Sequence, residues 1–167
     1  RWNPSEVVVL DLDPGVIGLF SEPLVRDGRV VNRALLELNG FAFRDPRVGV
    51  RLGDAFLTVD ELLASGRTFD AIVVDLPDPS HPDLSRLYTV RFYAKLRQLL
   101  AGDGAMAVQS TSPYHAREAF LAIGKTVAAA GFAAVEQYHQ NVPSFGEWGF
   151  TVAVKRGRAA SRRIADL

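Results

Sequence analysis

Ala71-Ile72-Val73-Val74-Asp75-Leu76-Pro77-Asp78-Pro79 is the stretch on which the fold turns. Four consecutive apolar residues, three of them β-branched, suit a strand buried on both faces of a parallel sheet. The run passes directly into an acidic turn stiffened by two prolines, and in open α/β sheets ligands bind outside the carboxyl ends of the strands. The same signature recurs on either side. Val7 to Leu10 closes on Asp11, and Val48 to Leu52, Ala105 to Val108, Ala133 to Tyr138 and Phe150 to Val154 read as further strands. Helical patterns lie between them, at Val16 to Val25, Arg33 to Leu38, Asp60 to Ala64, Leu87 to Leu100 and Ala116 to Ala130. Such alternation predicts an α/β architecture with right-handed crossovers.

The punctuation agrees with these limits. Asn32 is placed to cap the helix through Leu38, and Gly40 follows its end, where a left-handed residue is cheapest for glycine. Val90, Tyr93, Leu96, Leu99 and Leu100 form one apolar stripe, which Gly102-Asp103-Gly104 is expected to terminate. Gly131 ends an Ala-rich helix just before the next strand. The last two strands are joined by a short connection, His139 to Glu147, and are expected to pair antiparallel at a sheet edge. Residues 1–155 thus read as one domain, and the basic, Ala-rich residues 156–167 as a solvated tail.

Composition narrows the function. A chain of 167 residues with 48% hydrophobic residues has the makings of one globular domain rather than a disordered one. Nineteen basic residues against nineteen acidic ones leave no net charge, so the field that draws a chain onto nucleic acid or anionic lipid is missing, and no nucleic-acid partner is expected. The absence of cysteine excludes a disulfide framework, a thiolate metal site and a Cys nucleophile within these residues. His81, His115 and His139 are too scattered for a zinc pattern, and no metal is expected. No apolar run has the length of a membrane-spanning helix, so this segment is expected to make no membrane contact.

The residues that carry chemistry sit at strand ends. Asp11 ends the strand starting at Val7, where a carboxylate accepts hydrogen bonds from ribose hydroxyls. Asp13, two residues on, reads more simply as a turn carboxylate before Pro14. Gly53-Asp54-Ala55 follows the strand ending at Leu52. Asp54 faces an adenine amine in one reading, with Ala55 leaving room for the ring, and caps the next helix in the other. For Asp75 and Asp78 three roles are open: a metal site, a general base, or a clamp for a cationic substrate. No further acidic cluster lies nearby in sequence, which favours base or clamp. Gln140 to Phe150, with Phe145, Glu147 and Trp148, interleaves aromatics with glycine and one carboxylate, either as the wall of a slot for a charged alkyl chain or as a hairpin packed on the core. The Gly-rich turn that normally opens a nucleoside-binding α/β domain is absent, so the acid-tipped strand comes first.

Six segments, Val9 to Pro14, Leu38-Asn39-Gly40, Asp45 to Val48, Gly53 to Phe56, Phe69 to Pro79 and Val142 to Phe150, together resemble the polyamine aminopropyltransferases, the spermidine synthase family. The match runs in order from about Val7 to Val154, and its most specific member is the aspartate-x-x-aspartate-proline element. The resemblance implies a class I methyltransferase-like, Rossmann-like fold: a mostly parallel sheet with an antiparallel edge pair, here without its first strand and Gly-rich loop. It implies transfer of an aminopropyl group from decarboxylated S-adenosylmethionine, a cosubstrate rather than a prosthetic group, to putrescine or a related polyamine. By the same resemblance Asp75 is the catalytic residue that takes the amine proton, and Asp78 holds the diamine. Gln109, Phe145, Glu147 and Trp148 line the amine pocket, while Asp11, Asp54 and Ala55 bind the nucleoside. Phe145 stands where many members carry Tyr, which bears on the acceptor. The form Phe145-Gly-Glu-Trp-Gly-Phe150 resembles bacterial members in which this domain follows membrane helices. The expectation is a cytoplasmic, C-terminal piece of a longer enzyme, with a homodimer as its assembly. Two other readings stand beside it: an S-adenosylmethionine-dependent methyltransferase, which shares the fold, and a non-catalytic interaction or remnant domain.

Overall fold

The computed structural model describes residues 3–79 and 81–164. They fall into two compact units, 1–58 and 59–167, each described by itself. In the first, β1 (Val7–Asp11) pairs parallel with β4 (Val48–Leu52), Val9 opposite Val50 and Asp11 opposite Leu52. Between them the chain forms α1 (Pro14–Ser21), a two-residue-per-strand hairpin of β2 (Val25–Arg26) and β3 (Arg29–Val30), and α2 (Arg33–Leu38). The helix expected to run to Val25 therefore ends at Ser21. The reason lies in Asn32, which is buried and makes three tertiary hydrogen bonds: Oδ1 accepts from Leu24 N at 2.8 Å, while Nδ2 donates to Leu19 O at 2.8 Å and Glu22 O at 2.7 Å. Asn32 thus ties the hairpin down, and its side chain makes no cap on α2. Asp13, not a solvated carboxylate alone, caps α1 by accepting from Gly15 N at 2.7 Å.

The second unit begins within α3 (Ala55–Ala64) and contains β5 (Phe69–Val74), α4 (Pro82–Ser85), α5 (Val90–Leu99), β6 (Leu100–Gln109), α6 (Arg117–Ala129), β7 (Ala134–Val142), β8 (Gly146–Val154) and α7 (Ala160–Ile164). Its sheet has the order β5-β6-β8-β7. The β5–β6 pairing is parallel and the other two are antiparallel, with β7 at the edge. The expected antiparallel edge pair is present. The expected single, mostly parallel sheet is not, because the described strands divide into three sheets with two parallel and three antiparallel pairings. Among the described residues β5 pairs on one side only, and Val73 is 79% exposed, contrary to the two-faced burial its apolar run predicts.

Packing explains the other boundaries. Thr89 caps α5 by accepting from Phe92 N at 3.2 Å, so this helix starts after a short 3₁₀ turn at Arg86–Tyr88 rather than at Leu87. Its buried face is Phe92, Tyr93, Leu96 and Leu99, while Val90 from the expected stripe is exposed. Each such burial contributes roughly 1.5–3 kcal/mol. Lys95, also buried, reaches Asp60 at 2.7 Å, which answers its charge. Gly102-Asp103-Gly104 does not terminate the helix but lies inside β6 as an irregularity: the register passes from Phe69 opposite Leu100 to Ala71 opposite Ala105. Gly104 suits the close approach there, since a Cβ would stand a tight 3.1 Å from the carbonyl oxygens of Phe69 and Asp70. The last connection is shorter than expected. Val142 faces Gly146, Phe145 N donates to Val142 O at 2.9 Å, and Gly146 has φ 76°, a three-residue hairpin with Pro143 setting the turn. The tail is partly ordered, because Ser161 in α7 donates its N–H (3.0 Å) and its hydroxyl to the Glu136 carboxylate on β7. Residues 165–167 lie outside the described ones. Among the described residues no helix is long and apolar enough to cross a membrane.

Candidate active site

In the first unit the C-terminal ends of β1 and β4 lie side by side, where Gly53 N donates to Asp11 O at 2.9 Å. Parallel pairing therefore brings Asp11 and Asp54 to the same end of one sheet. Each carboxylate has one oxygen turned into its own loop: Asp11 Oδ1 accepts from Asp13 N at 2.8 Å, and Asp54 Oδ1 accepts from Phe56 N at 2.9 Å. Both turns are thereby fixed. The second oxygen of Asp11 accepts nothing among the described residues and is available to a hydroxyl. Ala55 follows as the first residue of α3.

In the second unit a cleft of about 460 Å³ opens beyond the C-terminal ends of β5 and β6. Asp75, Leu76, Pro77, Asp78, Gln109, Phe145 and Trp148 line it. The turn after β5 is held from both sides. Tyr88 Oη donates to Pro77 O at 2.8 Å, and Gln109 Nε2 lies 3.4 Å from Leu76 O. Asp78 is tethered through both oxygens: Oδ1 accepts from Gln109 Nε2 at 3.1 Å and Oδ2 from Thr111 Oγ1 at 2.9 Å. Asp75, exposed at the cleft, accepts no hydrogen bond among the described residues. The two carboxylates, four residues of chain, thus occupy different states. One is a fixed charge and the other is free to meet a ligand.

The far wall is aromatic. Phe145, 64% exposed, and Trp148 lie with ring centroids 5.3 Å apart and their planes tilted by 43°. Such faces suit an alkyl chain carrying positive charge. Glu147, expected at the pocket, does not line it. Alternation along β8 turns it to the other face, where it meets His139 Nδ1 at 2.7 Å. Tyr114 stands edge-on to the same His139 ring.

Two residues that sequence reading passed over support this site. Tyr88 is half-buried, and burial together with the charges of Asp78 and Asp75 pushes its phenol up to about 12. Below pH 10 the phenol is protonated whether the chain is folded or not. Between about 10 and 12 the unfolded chain ionises first, so the stability that Tyr88 contributes is lost as pH rises. Subtracting the 295 nm titration of Tyr88→Phe from that of the parent is expected to isolate one phenol with a midpoint near 12. A midpoint near 10 would place Tyr88 in open solvent. Thr111 is buried with φ 60°, a left-handed conformation that strains a β-branched residue by roughly 1–3 kcal/mol. The polar run Gln109-Ser110-Thr111 closing an apolar strand was the available signal for it. For Tyr88 the sequence offered none.

Among the described residues no three His, Asp or Glu side chains group as a metal-ligand set.

The chain is similar to known proteins along most of its length. A polyamine aminopropyltransferase of Shewanella oneidensis is 55% identical over the whole of this chain, which covers 29% of that protein. One from Oceanobacillus iheyensis is 40% identical over 89% of this chain and 27% of its own length. The chain therefore spans less than a third of the curated relatives it matches. Among solved structures, spermidine synthase from Thermotoga maritima superposes with a TM-score of 0.70 at 20% identity, over 91% of this chain and 46% of that one. A spermidine synthase in complex with the transition-state analogue AdoDATO superposes at 0.71 with 22% identity, over 91% and 47%. These likenesses establish a fold related to the spermidine synthases. The model of the spermine/spermidine synthase domain matches residues 1–163, and the chain belongs to that family.

Proposed function

We propose that the protein containing this chain transfers an aminopropyl group from decarboxylated S-adenosylmethionine to a polyamine acceptor such as putrescine. The observation that carries the reading is the division of labour at the turn after β5, where Asp78 is locked by Gln109 and Thr111 while Asp75 lines the cleft unpaired.

The chemistry asks for that division. An aliphatic ammonium has a pKa near ~10, so at neutral pH only about one amine in a thousand has its lone pair free. Asp75 accepts the proton as the amine nitrogen attacks the carbon next to the sulfonium. The new carbon–nitrogen bond forms, the carbon–sulfur bond breaks, and its electron pair neutralises the sulfur to give methylthioadenosine. The sulfonium is already a good leaving group, so in-line positioning is the protein's main contribution. Asp78 answers the ammonium that does not react. Phe145 and Trp148 flank the methylene chain and exclude water from it. In the first unit, Asp11 serves the ribose hydroxyls and Asp54 the adenine amine, with Ala55 leaving space for the ring. Phe145 offers no hydroxyl to the amine, which leaves the acidic turn as the main source of polar contacts. The edge of β5, unpaired among the described residues, supports the finer fold reading, in which a further strand pairs there.

The test is product analysis of the complete protein incubated with decarboxylated S-adenosylmethionine and putrescine. Methylthioadenosine and spermidine are expected in equal amounts. Failure to form methylthioadenosine with any diamine, or release of S-adenosylhomocysteine from S-adenosylmethionine instead, would replace this reading with a methyltransferase or a non-catalytic domain.

A further inference from the structure

Thr111 does not line the cleft, yet three of its atoms hold the residues around it. Its hydroxyl donates to Asp78 Oδ2 at 2.9 Å. Its N–H donates to Gln109 Oε1 at 2.7 Å, which orients the amide so that Nε2 must face Asp78 Oδ1, 3.1 Å away. Its carbonyl accepts from Gly149 N at 2.7 Å, anchoring the residue to β8. All of this occurs at φ 60°, a conformation that glycine or asparagine would adopt with less strain than threonine. A residue that adopts this conformation against its backbone preference, buried at 3% exposure, is held there by its surroundings. The hydroxyl aimed at Asp78 is the feature that glycine could not supply.

We propose that Thr111 is a positioning residue that sets amine selection by fixing the Asp78 carboxylate, acting through that side chain and through Gln109 rather than by touching the substrate. The inference rests on the aminopropyl-transfer reading. With both oxygens tethered, Asp78 is a point charge at a constant place, and a constant place rewards an acceptor whose second ammonium reaches it. Released from Thr111, the carboxylate rotates away, and a diamine loses its advantage over a monoamine. Steps at the nucleoside are untouched, since Asp11 ends β1 and Asp54 follows β4, and neither bonds Thr111.

The experiment compares Thr111→Val, Thr111→Ser and Thr111→Gly in the complete protein, reading putrescine affinity by calorimetry, KM for each substrate, and methylthioadenosine release. Thr111→Val keeps the shape and removes the donor. It is expected to weaken putrescine binding and raise its KM about tenfold, as for loss of a charge-assisted hydrogen bond, and to leave KM for the nucleoside unchanged. Thr111→Ser restores the hydroxyl and is expected within about twofold of the parent on the same scale. Thr111→Gly relieves the backbone and lacks the hydroxyl, so it is expected to fold at least as well yet share the weakened amine binding, which keeps the test open if the valine variant unfolds. Parent-like putrescine binding in the glycine and valine variants, or an equal rise in both KM values, overturns the inference. A parent protein that binds putrescine without releasing methylthioadenosine overturns the transfer reading and leaves the role of Thr111 standing; one that does neither removes both.

Discussion

Asp75→Asn is expected to lower turnover at least ~10²-fold at neutral pH, as for loss of a positioned base, while leaving the fold and KM for the nucleoside intact. Asparagine has the shape of aspartate without its proton affinity. Asp75 is exposed and accepts no hydrogen bond among the described residues, so no packing depends on its charge. The residual rate is expected to climb about tenfold per pH unit between 7 and 9, because the variant must wait for an amine that has already lost its proton and that fraction grows tenfold per unit below ~10. The parent, with a base in place, climbs less steeply. Steady-state rates across that interval check both statements, and turnover within a few-fold of the parent at pH 7 would remove Asp75 from proton transfer. Asp78→Asn is expected to differ in kind, raising KM for the diamine more than it lowers turnover, because that carboxylate is tethered and faces an ammonium that keeps its protons.

The second large effect belongs to Gly149→Ala. Gly149 lies in β8, buried, where its N–H and C=O bond Thr111 O at 2.7 Å and Ser110 N at 2.9 Å. An added Cβ would stand 2.5 Å from the Phe120 ring and 2.7 Å from Thr111 O. The oxygen is backbone and the ring is itself buried, so neither yields without loss elsewhere. Overpacking of this kind is expected to destabilise by about 2–3 kcal/mol and to lower Tm by roughly 5–10 °C in a domain of this size. Gly102→Ala is the control. Nothing lies within 4 Å of the position its Cβ would take, and its unfolding temperature is expected to match the parent's. Because Thr111 carries Asp78, Gly149→Ala is also expected to weaken diamine binding in the fraction that folds. An unchanged Tm would show that β8 and α6 do not approach as closely at this point.

Local chemistry made much of the molecule legible. The apolar run ending in Asp75 reads as a strand because it is short, rich in β-branched residues that pack well on a pleated sheet, and bounded by prolines. Helix α2 was found to the residue, and β4 likewise. Asp75, Asp78 and Gln109 lay together because strand ends on one side of a parallel pair gather whatever follows them. Partners distant in sequence were not legible. Asn32 looked like a cap because its position is right for one, but Leu24, Leu19 and Glu22 compete for the same side chain from another turn. Glu147 looked like a pocket residue because it neighbours Trp148, but the strand alternates its faces.

Order and type of the elements, and the acids that close them, were thus written in backbone preference and in the spacing of apolar residues, which act over a few positions. Which of two similar carboxylates is held and which is free was not written there. That depends on a threonine 33 residues from Asp78, brought near by the pairing of β5 with β6 and kept in a left-handed conformation by β8. Hydrogen bonds depend on position to within a fraction of an ångström, and only the assembled sheet specifies position that finely.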